Sequence, residues 1–209
     1  MIDYTFKVLV LSDYGVGSTT LKKNHVIDLF PENKIVKSQK FNFKKKIARP
    51  KRFFLKCRVK RFLKKINKSK SISPKFTIGV DFCTKVVNLD EKNFKLQLWV
   101  FSNEERFKFL LPTYLRGSNA IIIIYDITNP RSLEKIPEWC QMAKNYRKDI
   151  PILLVGNKLD LEERRKVSKE QLNNNYDISN SMEISLKTGE NVEQMFINII
   201  KMIFEKHSL

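Results

Sequence analysis

Residues 6–29 set three signals in order, a strand, a glycine turn and a helix. Phe6-Lys7-Val8-Leu9-Val10-Leu11 is a β-rich apolar run. Ser12 to Thr20 then carries two glycines, Gly15 and Gly17, among mostly polar neighbours, and Leu21 to Leu29 can wind into a helix. In a strand–glycine turn–helix layout, successive backbone N–H groups and a helix N-terminus converge on an anion. The full phosphate-cradling pattern is G-x-x-x-x-G-K-[ST]. Here Ser12 holds the first Gly place, Gly17 the second, Ser18 the Lys place and Thr19 the [ST] place. The Lys ammonium normally neutralises the β/γ-phosphates, so its replacement weighs on everything downstream. Gly15, Val16, Gly17, Ser18, Thr19 and Thr20 are the candidate phosphate-side residues. Gly-x-Gly turns after strands are common, so this loop needs a second motif to specify a ligand.

The 209 residues can bury a substantial core, as one domain with an insertion. No apolar run approaches the ~20 residues of a membrane span. The start, Met1-Ile2-Asp3-Tyr4, has no signal-peptide pattern, which gives a cytoplasmic expectation. Cys57, Cys83 and Cys140 are odd in number and lack metal-ligand spacing, so reduced thiols are expected.

Charge is concentrated in one block. Residues 33–76 hold 18 Lys and Arg and no Asp or Glu; the remaining 22 basic residues balance the 22 acidic ones. The whole net charge of +18 therefore comes from this segment. Three readings stay open for it: a solvated arm, an arm for anionic membrane or nucleic acid, or a segment packed on the domain. Phe54, Leu55, Val59, Phe62, Leu63 and Ile66 fit one face of a basic amphipathic helix. Phe53, Leu55, Cys57 and Val59 also alternate as a strand would.

The rest alternates strand and helix signals. Val80–Leu89 and Asn93–Phe101 read as a hairpin about the turn Asp90-Glu91-Lys92. Ala120–Tyr125 and Ile152–Val155 are apolar runs of the kind buried on both faces of a sheet. Pro130 to Arg147 reads as a helix, with Leu133, Ile136, Trp139, Cys140 and Ala143 on one face. Ser168 suits the N-cap of a helix over 170–174. Met182–Ser185 is a short strand. Val192, Met195, Phe196, Ile199, Ile200 and Ile203 form the stripe of a closing helix. The sum is an α/β fold, a mostly parallel sheet with helices on both faces, whose ligands bind at the carboxyl ends of the strands.

Two loops at such ends carry the deciding chemistry. Gly156-Asn157-Lys158-Leu159-Asp160 resembles the N-K-x-D element of small GTPases. An Asp there accepts from both N1–H and N2–H₂ of guanine, a donor pair adenine lacks. By that resemblance Asn157 braces the loop and Lys158 lays its apolar stem along the base. Glu183-Ile184-Ser185-Leu186-Lys187-Thr188-Gly189 resembles the family's E-x-S-A-K loop, with Leu186 where Ala is usual and its N–H directed at the guanine carbonyl.

Lys75-Phe76-Thr77-Ile78-Gly79-Val80-Asp81-Phe82 is similar to the switch I segment of the Rab family. Leu115 to Thr128 is similar to a Rab strand with its lead-in, and Trp99–Phe107 to the switch II motif W-D-T-A-G-Q-E-R-F. The chain thus resembles the Rab-like branch of the Ras superfamily over about residues 5–30 and 76–205. The resemblance implies a P-loop NTPase (Ras-like) fold with a six-stranded sheet, a single G domain over 1–209 interrupted at about 31–75. It also implies GTP or GDP with Mg²⁺, effector proteins at both switches, and base-side contacts from Asn157, Lys158, Asp160, Ser185, Leu186 and Lys187. Thr19 and Thr77 are the implied metal-ligating hydroxyls.

The departures gather on the phosphate side. Val100 stands where an Asp helps to hold Mg²⁺ through its water shell, and Asn103 where a Gly donates to the γ-phosphate. Glu104 holds the catalytic place of the Gln that orients water. With Ser12 and Ser18, five places differ. Phosphoryl transfer is catalysed by positioning and charge, so hydrolysis is expected to be weak or absent and metal binding weakened. Lys22 and Lys23 are read either as replacement charge or as an exposed basic helix face. The chain ends His207-Ser208-Leu209 without a prenylatable Cys, and Met1-Ile2 excludes N-myristoylation, so no lipid anchor is expected. Three functions remain: a Rab-like GTP-binding interaction module, a GTPase switch rescued by other residues, or a nucleotide-free protein acting through its basic arm. A peripheral membrane location would follow from the arm.

Overall fold

The computed structural model describes residues 2–28, 79–102, 105–168, 172 and 180–207. The chain divides into two units, Met1–Pro31 with Thr77–Leu209, and Glu32–Phe76; every described residue belongs to the first. Its strands are β1 (Tyr4–Ser12), β2 (Ile27–Asp28), β3 (Val80–Leu89), β4 (Lys92–Ser102), β5 (Ala120–Asp126), β6 (Ile152–Asn157) and β7 (Ser181–Glu183). They form one sheet in the order β2-β3-β4-β1-β5-β6-β7. β1 pairs in parallel with β4 and β5, and β6 with β5 and β7, while β3 runs antiparallel to β2 and β4. The six expected strands are present. A seventh, the two-residue β2, extends the antiparallel edge.

Helices cover both faces: α1 (Ser18–His25), α2 (Leu111–Leu115), α3 (Ile136–Tyr146) and α4 (Val192–His207). Successive residues of a strand point to opposite faces, and β1 shows the division. Val8 and Val10 join Leu21 of α1 and Met195, Phe196, Ile199, Ile200 and Ile203 of α4. Leu9 and Leu11 face the other way, with Leu111 and Leu115 of α2 and Ile136, Trp139 and Ala143 of α3. All seven residues of β5 are buried, which explains its unbroken apolar run. At the far end of the sheet Phe204 of α4 meets Tyr4, Phe6 and Phe94 edge-on, with centroids 5.3, 5.8 and 5.6 Å away.

Three element boundaries differ from the sequence expectation. The first helix begins at Ser18 and stops at His25, because Val26 is extended (φ −134°, ψ 160°) and leads into β2. β-branched Val26 and Ile27 favour that state. The expected 130–147 helix is split into a 3₁₀ turn, Pro130–Leu133, and α3. Pro137 has no N–H to give, so it fits only the first turn of a new helix, where it stands. Ser132 Oγ also takes the Asp126 N–H at 3.0 Å and donates to Asn129 O at 2.7 Å, fixing the preceding turn. β7 is Ser181–Glu183, so Ser185 lies in the loop beyond it. The expected 170–174 helix and the motifs of the 33–76 block lie outside the described residues.

Candidate nucleotide site

The parallel strands β1, β5, β6 and β7 deliver four loops to one edge of the sheet. The first is the glycine loop. Gly17 precedes α1 at φ +120°, and a Cβ there would stand 2.4 Å from Asn157 Nδ2. Gly15 (φ +77°) faces open space, with nothing within 4 Å of where its Cβ would be. α1 has no side-chain cap; the Thr20 N–H bonds Gly17 O at 2.9 Å, and the N–H groups of Ser18 and Thr19 point out of the helix end. Ser18 and Thr20 are half-buried and Thr19 is exposed, while Val16 is locked in the core at 1% exposure.

Asn157, buried at the end of β6, ties this loop to the one after β7. Its Nδ2 donates to Val16 O at 2.6 Å, and its Oδ1 accepts from Leu186 N at 2.9 Å. Bracing by Asn157 is thus visible in the structure. The Leu186 N–H, expected to face a ligand carbonyl, is instead held by Asn157. Asp160 follows in the 3₁₀ segment Leu159–Arg164. Ser185 Oγ donates to its Oδ1 at 2.6 Å, and Lys187 Nζ stands 3.5 Å from its Oδ2. The Ser185 hydrogen bond, opposed by burial and aided by Lys187, holds the Asp160 carboxyl below the ordinary carboxylate range. An ionised acceptor is what a pair of N–H donors on a base requires.

Two anchors escaped the sequence reading. Lys158 is left-handed (φ 75°, ψ 34°), and its Nζ bonds Asp126 Oδ2 at 2.5 Å. Asp126 is buried at the end of β5 and also accepts from Thr128 N at 2.8 Å. Arg165 grips Glu183 through Nη1–Oε1 at 2.7 Å and Nη2–Oε2 at 2.9 Å, and Glu162 through Nε–Oε1 at 2.8 Å. That fork joins the segment carrying Asp160 to the strand leading into Ser185. The Glu162 contact is local, three residues back, but Glu183 stands 18 residues on and joins Arg165 only through the fold. His25 Nε2 lies 2.7 Å from Leu186 O, which ties the end of α1 to the same loop.

The Ras family profile matches residues 56–205. Ras-related protein Rab-4 of Dictyostelium discoideum is 40% identical over 153 residues, 72% of this chain and 73% of its own. Human Ras-related protein Rab-30 is 30% identical over 200 residues, 94% and 79% of the two chains. Ras-related protein Rab-8 of Diplobatis ommata is 32% identical over 208 residues, 98% and 80%. The chain belongs to the Ras family. Ras-family GTPases bind GTP or GDP with Mg²⁺, and the sheet found here is the Ras-like one.

The two cofactors fit this member unequally. An ionised Asp160, a braced Asn157 and an open glycine turn on a helix end suit a guanine nucleotide. The metal side departs from the family pattern at Val100. Val100 is 1% exposed and packs with Val10 and Leu98, so the place of the Ras-family carboxylate is an apolar wall. Thr19 is the one implied metal ligand among the described residues, and no group of three or more His, Cys, Asp or Glu there could hold an ion. Thr77, Asn103 and Glu104 lie outside the described residues. Lys23 is exposed, as one sequence reading had it. Lys22 is not: its side chain is 13% exposed and pairs with Asp81 of β3.

Proposed function

We propose that this Ras-family protein is a guanine-nucleotide-binding, Rab-like interaction module with weak or absent GTP hydrolysis. One observation carries the reading. The network Val16–Asn157–Leu186 and Asp160–Ser185 is complete, while the phosphate flank offers Ser18 for a cation and Val100 for a carboxylate. Guanine recognition needs the first set. Catalysis needs the second, and loss of such charge stabilisation is typically worth a few kcal/mol per group.

A cluster of half-buried aromatic residues supports the module reading. Half-buried Trp99 of β4 lies 4.8 Å from Phe82 of β3 and 5.3 Å from Tyr114 of α2, centroid to centroid. Clustered aromatics at the surface are frequent partner anchors. Phe82 and Trp99 belong to the segments similar to switch I and switch II, through which Rab-like proteins meet effectors. Traffic or signalling between cytoplasm and membrane is the setting this reading implies.

The experiment is nucleotide release after denaturation, followed by competition among GTP, GDP and ATP. GTP and GDP should exclude ATP, and Asp160→Ala should abolish the preference. Single-turnover GTP cleavage should be slow or undetectable. Equal binding of ATP and GTP would overturn the guanine assignment, and rapid cleavage would overturn the module reading.

A further inference from the structure

The two charges absent from the phosphate flank, a cation at Ser18 and a carboxylate at Val100, have counterparts close by. Lys22 stands four residues after Ser18 on α1, about 6 Å along the helix axis at 1.5 Å per residue. Residues four apart share a helix face, so Lys22 lies one turn from Ser18 on the same face of α1. Asp81 is the register partner of Val100 in the β3–β4 ladder. Facing residues of an antiparallel pair point to the same side of the sheet, with Cβ atoms about 4.5–5.5 Å apart. The Asp81 carboxylate therefore flanks the Val100 side chain, on the side covered by α1. There it binds the Lys22 ammonium.

From this we infer that Lys22, held by Asp81, is an internal cation that takes the place of the divalent metal, so that the chain binds guanine nucleotide without Mg²⁺. The inference rests on the nucleotide reading above. In the family pattern a carboxylate helps to hold a cation beside the phosphates. Here Asp81 does so from the next strand, and the cation is covalently part of the protein. The apolar Val100 wall suits an ammonium on a four-carbon stem better than a hydrated ion, because Mg²⁺ keeps several waters and dehydrates reluctantly. An embedded ammonium also explains why Lys22 is drawn in while its neighbour Lys23 stays in water. Affinity then depends on directed, charge-assisted hydrogen bonds from the ammonium to phosphate oxygens.

The test is GDP affinity of the full chain in saturating Mg²⁺ and in excess EDTA, with metal content of the bound protein measured alongside. The unmodified protein should bind GDP equally under both conditions and carry no stoichiometric Mg²⁺. Lys22→Met should weaken GDP binding about tenfold, the scale of one charge-assisted contact. Lys22→Arg should retain most of the affinity, and Lys23→Met should change little. If chelation weakens binding to the unmodified protein tenfold or more, the metal is required and the inference fails, with no variant needed. Equal loss in Lys22→Met and Lys23→Met also overturns it, while leaving guanine binding intact. If neither GDP nor GTP binds the unmodified protein, the nucleotide reading falls, and this inference with it.

Discussion

One amide, that of Asn157, joins the glycine loop to the loop after β7. Val16 O and Leu186 N are buried, and each has Asn157 as its partner at 2.6 and 2.9 Å. Asn157→Ala would leave both without that partner, at about 1–3 kcal/mol for each. Urea unfolding should therefore show a loss of about 2–6 kcal/mol. Asn157→Asp keeps the acceptor for Leu186 and should lose less. Asp160 makes a second, pH-dependent prediction. Its carboxyl is held below its ordinary value of 3.8, first by the Ser185 hydroxyl. A depressed folded value adds stability that is complete above the unfolded value and is lost as pH falls through the folded one. Ser185→Ala removes the main cause. The gap in unfolding free energy between wild type and variant should be constant near neutrality and shrink below about pH 4. A gap that does not change with pH would mean that Ser185 acts through packing alone.

Elements with a repeating pattern were legible from the sequence, and those set by single residues were not. β3 and the stripe of α4 follow from periodicity, because burial on one side imposes it. The hairpin was legible too, but its turn is two residues, Asp90 and Glu91, rather than three. Both are left-handed, at φ 50° and 61°. This is the handedness that two-residue hairpins need, and neither residue is the usual glycine or asparagine. Glu91→Gly should relieve that strain by about 1 kcal/mol and raise the melting temperature by ~2–4 °C. No change would mean that the turn is already held by its neighbours, including Asn88 Nδ2 to Asn93 Oδ1 at 3.2 Å. The break before α3 depended on Pro137 and Ser132, two residues that the helical period passes over. In the candidate site, Asn157, Asp160 and Ser185 were legible as motifs. Lys22–Asp81 and Lys158–Asp126 were not, since each joins residues 59 and 32 apart that only the sheet order brings together.

At the scale of the whole chain, the net charge comes from one segment. Residues 33–76 supply all of the net +18, and the rest is balanced. The chain divides at nearly the same points, Glu32 and Phe76. Deleting residues 40–72 should therefore leave the melting temperature of the Ras-family unit nearly unchanged while stripping most of the positive charge. Among the described residues no helix is long and apolar enough to cross a membrane. The block supplies the net positive charge that would draw this chain to an anionic bilayer. Each Lys or Arg near such a surface contributes about 1 kcal/mol before screening. Sedimentation with anionic vesicles should fall steeply as salt rises, because the Debye length contracts from ~10 Å at 0.1 M to ~3 Å at 1 M. The deletion should remove it at every salt concentration. Apolar residues separate a bilayer from nucleic acid as the target. If Phe54, Phe62 and Leu63 insert, replacing them with Ser should weaken vesicle binding while every charge is kept. If the partner is RNA, those replacements should be silent and affinity should follow the logarithm of salt concentration. Loss of neither on deletion, at low salt, would leave the block as a solvated insert carrying charge for solubility alone.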